Sequence, residues 1–261
     1  MQKQITLMGL VLTAFFAICL MSPADSVDMD GDEAIYEAPQ AIVPPRIDGI
    51  LDDAIWQVAP SVTFGLLDSG GIVDEEYFST AWAVYDSERL YVAFKNGDPD
   101  PGNITVVNKG RDSDTWRDDE CEVFIEPANV GSEPYFQFCI NAEGEIFDQE
   151  RGGAGLAWNA KSLQCATEIY DDHWVLEESV TFKDLGIKEA PVGETWGWNF
   201  NRHIVSGVDF WTGWSETGPS FHTPGKFGDI VFTQEKMAVS PVEKASTTWS
   251  RIRSLLTDHM K

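Results

Sequence analysis

The segment Trp116–Pro127 reads WRDDECEVFIEP, and the rest of the chain can be placed around it. After an indole and a run of acids, its side chains alternate. Glu120, Glu122, Phe124 and Glu126 fall on one face; Cys121, Val123 and Ile125 fall on the other. That period of two describes a strand with one face turned to a core. Folding does not require three carboxylates on the opposite face, where like charges repel. Such a face is either the solvated exterior of an acidic protein or a row of acceptors for a ligand. Trp116 beside it adds an aromatic platform of the kind that lines ligand sites.

Outward from this strand, further short segments carry the same alternation. They are Thr80–Tyr85, Leu90–Lys95, Tyr135–Asn141, Leu163–Tyr170, Trp174–Phe182, Trp196–Ile204 and Lys226–Phe232. Asp86-Ser87-Glu88, Ala142-Glu143-Gly144 and Asp171-Asp172 supply turns between several of them. IDGILDDAIWQVAP predicts a turn at Asp48-Gly49 and a short helix from about Asp52 that carries Trp56 inward. Even spacing with no long helix between strands predicts an all-β, antiparallel β-sandwich. Trp56, Trp82, Trp174 and Trp196 read as core.

The flanks differ in character. Residues 1–24 read as a secretory signal peptide: Lys3, the apolar run Ile5–Met21, then Ser22-Pro23-Ala24. This predicts a secreted or periplasmic protein without stable membrane insertion. Residues 25–41 read as an acidic linker leading into a first strand, and 42–235 as the sandwich. Residues 236–261 read as a C-terminal extension with a short amphipathic helix. There Ser240-Pro241-Val242-Glu243 makes a capping box, and Val242, Ala245, Trp249, Ile252 and Leu256 follow at helical spacing.

Composition narrows the partners. The 43 acidic residues against 18 Lys and Arg give a net charge of −25, which repels nucleic acid and anionic lipid. Ten Trp in a chain with that balance lean toward sugars. Alternation puts Cys139 on the face opposite Cys121 and Cys165, which predicts three free thiols. Two carboxylates on one strand, Glu120 and Glu122, leave a glycoside hydrolase as an alternative. A haem-binding sandwich is the other alternative, although the Met residues of the mature chain fall outside the core segments.

Seven blocks, in order, carry a family resemblance: IDGILDDAIW, VYDSERLYVAFKNGDPDP, WRDDECEVFIEP, YFQFCINAEGEIFD, WVLEESVTFKDLG, GETWGWNFNRH and FHTPGKFGDIVF. Together they resemble family nine carbohydrate-binding modules. The resemblance implies a sandwich, structural calcium (Ca2+), and a terminal sugar held between two Trp side chains. Polysaccharide catabolism of the xylan or cellulose type follows as the setting, with a glycan-degrading enzyme as partner. Residue by residue, Trp116 fits the first stacking indole and Glu122 the acid after it. Trp214 followed by Ser215 fits the second, with Trp211 as the alternative. Gln137 and Asn141 share a face of the next strand, and Asn199, Asn201 and Arg202 fall in the block that closes the site. Cys121 stands where the family pattern has a basic residue. The expectation is a non-catalytic binder of oligo- or polysaccharide, with calcium held by the acid-rich loops 98–100 and 112–119.

Overall fold

Tyr36, Phe94, Trp174, Trp198, Phe200 and Phe232 are wholly buried together and organise the architecture. In a computed structural model of the chain, which describes residues 26–27 and 34–238, their strands form one curled network that packs against itself as a sandwich. The strands are β1 (Ser26–Val27), β2 (Ile35–Ala41), β3 (Val62–Phe64), β4 (Leu66–Leu67), β5 (Ser79–Tyr85), β6 (Arg89–Gly97) and β7 (Glu120–Glu126). They continue as β8 (Tyr135–Asn141), β9 (Ile146–Arg151), β10 (Gln164–Ile169), β11 (His173–Thr181), β12 (Thr195–Ile204), β13 (Phe210–Gly213) and β14 (Gly228–Met237). The order is β10-β11-β6-β5-β2-β14-β12-β7-β8-β9. Most pairings are antiparallel, while β2 lies parallel to β14 and meets β5 at a single position, Gln40 opposite Tyr85. The network turns there, so β10-β11-β6-β5 and β14-β12-β7-β8-β9 become the two layers.

Alternation decides which residues each layer buries. Cys121, Val123 and Ile125 of β7 face the core with Trp198 and Phe200 of β12 and Phe136, Phe138 and Ile140 of β8. Removing an aromatic or branched side chain from water contributes roughly 1.5–3 kcal/mol each, so this face fixes the register. The opposite face of β7 is not a solvated exterior: every residue of the strand is buried.

Several boundaries shift from the sequence reading. Residues 35–41 are a strand, not linker, because Tyr36 and Ala38 reach the core and the Tyr36 hydroxyl donates to the Pro60 carbonyl and accepts from the Ala83 amide. The last strand runs to Met237, past the expected boundary at 235. The predicted helix from Asp52 is a series of turns, in which Arg46 engages Asp48, Asp52 and Asp53 and so favours local loops over helix. Trp56 is nonetheless buried, in a smaller cluster on the outer side of β5 and β6, and Trp82 is only partly covered against it. The described residues hold no helix beyond three-residue 3-10 turns. The C-terminal helix and the signal peptide lie outside the described residues. Cys121, Cys139 and Cys165 are free thiols.

Candidate functional site

The outward face of the β12-β7-β8-β9 layer forms the floor of a cleft of about 490 Å³. Cross-strand register puts Asn201 opposite Glu122, Glu122 opposite Cys139, and Gln137 opposite Gln149. The Gln149 Nε2 amide donates to Gln137 Oε1, and Gln137 Nε2 donates to Glu122 Oε2. A chain of amide donors therefore ends on one buried carboxylate. Glu122 and Gln137 are 2% and 3% exposed, so only a group that reaches the floor can touch them.

Two indoles stand over this floor. Trp116 sits on a 3-10 turn, Thr115–Arg117, with its ring edge-on to Phe147 of β9 at 4.8 Å. Trp211 projects from β13, which pairs with β12 so that Trp211 lies opposite His203. The His203 and Trp211 rings stack at 3.6 Å and 13°. His203 Nδ1 donates to the Trp116 carbonyl at 2.9 Å, and its Nε2 lies 2.9 Å from Asp209 Oδ1. Phe221 and His222 close the third side, with His222 2.8 Å from the Tyr135 hydroxyl. Burial lowers the His222 pKa to about 4, which leaves a neutral imidazole at physiological pH.

The acids of β7 have separate tasks. Glu126 accepts the Val130 and Gly131 amides and holds the turn after its strand. Glu120 is completely buried behind Glu122, accepts the Cys139 thiol at 3.3 Å, and has one oxygen without a partner. Burial, with Glu122 beside it, drives its pKa well above the carboxylate range. Burial also raises Glu122 to about 7, opposed by hydrogen bonds from Gln137 and Glu120. Burial and the proximity of the two carboxyls thus favour protonation of the pair.

Of the residues expected at the site, Trp116, Glu122, Gln137 and Trp211 line the cleft. Trp214 does not: it is 3% exposed and packs on Phe200 at 5.7 Å in the core. Trp211, on β13, is three residues earlier; Trp214 follows the last residue of that strand and turns into the core. Arg202 alternates inward, where it donates to the Tyr77 and Gly97 carbonyls and lies 3.7 Å from Asp98. Asn141 pins the following turn through the Glu143 and Glu145 amides and reaches Asp118. Asn199 braces Ser215 through both its backbone groups, and Asn201 accepts from Asn199 beneath the floor. These residues support the site without facing it. Phe147, Gln149, Phe221, His222 and the bracing His203 do not emerge from the sequence reading, although Phe221 and His222 stand inside the block FHTPGKFG. Gln149 follows from the turn at 142–144 once its register is known.

Two acids in the loops expected to hold calcium are engaged by backbone amides. Asp118 accepts the Val107 and Asn108 amides, and Asp119 those of Thr105, Val205 and Ser206. Among the His, Cys, Asp and Glu side chains of the described residues, Glu120, Glu122 and Cys139 converge as three potential donors. A thiol with two buried carboxyls is not the oxygen cage calcium takes.

Residues 47–235 match the family described as carbohydrate family 9 binding domain-like. No curated protein sequence matches the chain. Among solved structures, a proposed carbohydrate-binding protein of Bacteroides uniformis is 14% identical, with a TM-score of 0.60 over 77% of this chain and 99% of that one. A family 9 carbohydrate-binding module of Caldicellulosiruptor kristjanssonii, in complex with glucose, is 17% identical, with a TM-score of 0.56 over 78% of this chain and 100% of that one. The same module in complex with cellotriose gives a TM-score of 0.55 at 17% identity, over 78% of this chain and 98% of that one. These likenesses carry the fold.

Proposed function

The chain belongs to the carbohydrate family 9 binding domain-like family, and from that premise we propose that it is an exported, non-catalytic carbohydrate-binding protein whose cleft clamps one sugar ring between Trp116 and Trp211. The observation that carries this reading is the pairing of two half-buried indoles above a floor of Gln149, Gln137 and Glu122. Sugar rings present C–H patches that stack on indole faces, and hydroxyls that need fixed donors and acceptors. The cleft offers both within about 490 Å³, room for one or two rings. Glucose- and cellotriose-binding by the Caldicellulosiruptor module makes β-glucans and xylan fragments the first ligands to try. Export rests on residues 1–24, and a role beside a glycan-degrading enzyme rests on the family alone.

The floor does not favour a glycosidase. A hydrolytic pair must flank the scissile bond with its carboxyls about 5–5.5 or 6.5–9.5 Å apart, whereas Glu120 is sealed behind Glu122 and lines no part of the cleft.

Titration calorimetry with glucose, cellotriose and xylotriose tests the proposal. Dissociation constants from micromolar to millimolar are expected, because one or two rings bury little area. Trp116→Ala and Trp211→Ala should each weaken the best ligand by about thirtyfold, the loss typical of an aromatic anchor. A folded Trp116→Ala protein that binds like the parent would overturn the clamp.

A further inference from the structure

A second aromatic cleft, about 400 Å³, lies on the outer face of the opposite layer and shares no residue with the first. Trp82 of β5 forms its base; the ring is only partly covered by the small cluster around Trp56. At one end Tyr170 and His173 stack at 4.6 Å and 11°, and Asp172 lies 2.5 Å from His173 Nδ1. On the other side stands the loop 46–59, fixed by a buried carboxylate: Glu177 accepts the Asp48 and Gly49 amides and the Trp56 indole N–H. Three donors on one acid make a rigid wall. Between the walls rises Lys95, exposed, its ammonium near enough to Asp172 to favour that carboxylate's charge but not in hydrogen-bond contact with it.

We propose that this cleft is a second sugar-ring site, with the ring stacked on Trp82 and an oxygen of the ligand, hydroxyl or carboxylate, accepting from Lys95. The chemistry is that of a pyranose. An exposed indole face supplies the stacking surface, an ammonium and the Gln57 amide supply donors, and the aromatic pair bounds the ring. A flat hydrophobic ligand would leave the ammonium unused. A phosphate-rich ligand would approach a protein of net charge −25 against its field. An exposed Lys with donors to spare beside an aromatic floor suits an oxygen-rich, uncharged or singly acidic ring. Two sites on opposite layers would let one molecule engage two chains of a glycan surface, which raises avidity without tightening either site.

Indole N–H resonances of the Trp211→Ala protein, in which the first cleft is disabled, test the proposal. Trp82→Phe assigns the Trp82 signal and keeps an aromatic ring, so it should fold. Titration with cellotriose or glucuronic acid to tens of millimolar should move the Trp82 signal, and Lys95→Ala should weaken that response about threefold or more. Movement with both sugars assigns a ring-selective site; movement with glucuronic acid alone assigns an acidic-sugar site. A Trp82 signal that no sugar moves overturns the second site. The first cleft is judged separately, by the Trp116 and Trp211 signals of the unmodified protein.

Discussion

His203 lies flat against Trp211, ring centroids 3.6 Å apart and planes 13° from parallel, while its Nδ1 donates to the Trp116 carbonyl. One imidazole therefore positions both indoles of the cleft. It reaches them because β12 places His203 on the face of Glu120, one strand from β13, and because the 3-10 turn brings the Trp116 carbonyl over that edge. A clamp held from one point is preorganised: the rings need not be ordered when a ligand arrives, a saving of about 0.5–1.5 kcal/mol per side chain.

His203→Ala should accordingly weaken sugar binding by about three- to tenfold, although His203 is not expected to touch the sugar. His203→Phe keeps the stack but not the bond to Trp116, and should fall between parent and alanine variant. Calorimetry on both, with melting temperatures to confirm folding, checks this. Equal affinities in all three proteins would show that the imidazole positions nothing.

Trp211 and Trp214 should separate binding from stability. Trp211→Ala removes a half-buried wall of the cleft and should abolish most affinity at a smaller cost in melting temperature than Trp214→Ala. Trp214→Ala removes a buried ring and should cost roughly 3–5 kcal/mol of stability, while the folded fraction binds normally. Denaturant melts beside calorimetry decide it. The reverse pattern would put the second indole of the clamp at Trp214.

How much of this is legible in the sequence depends on strand length. WRDDECEVFIEP shows its alternation over a full strand, so period alone places Glu122, and Gln137 on the next strand, on the cleft face. FWTG in β13 is four residues long and ends one residue before Trp214, too short for a period, so only the register that sets Trp211 opposite His203 decides between the two indoles. β9, which reads IFDQER, has no apolar run beyond its first two residues to mark it, which hides Gln149. In β2 the sequence IYEAPQA carries an acid and a proline among small residues, and its two inward side chains do not outweigh them. Arg202 misleads for a different reason: a guanidinium inside a sandwich breaks the apolar pattern, and the Tyr77 and Gly97 carbonyls with the buried Asp98 explain it.

Arg202 should therefore matter to folding and not to recognition. Arg202→Met removes two hydrogen bonds and strips the buried Asp98 of its cation. Breaking such a pair from one side costs about 3–5 kcal/mol. Urea midpoints should fall accordingly, and sugar affinity measured on the folded protein should not change. Lost affinity with full stability would place the guanidinium in the site after all.

The pH dependence of stability should report the carboxyl at the floor of the cleft. Burial raises Glu122 from its ordinary 4.5 to about 7, so the folded chain holds a proton that the unfolded chain releases. The sign follows: this contribution is complete below about pH 4.5 and is lost as pH rises through about 7. A tenfold change in proton affinity corresponds to about 1.4 kcal/mol, which makes the effect measurable. Glu122→Gln keeps an acceptor for Gln137 and cannot ionise, so its melting temperature should fall less than the parent's between pH 5 and 8. Glu178, inside the sandwich and raised by burial to about 8, should give a similar flattening when changed to Gln. Only the Glu122 variant should also change sugar affinity, since Glu178 lies between the layers away from the cleft. Melting curves of the Glu122→Gln and parent proteins that stay parallel across this range would show that Glu122 is ionised in the folded protein, and the protonated floor would be wrong.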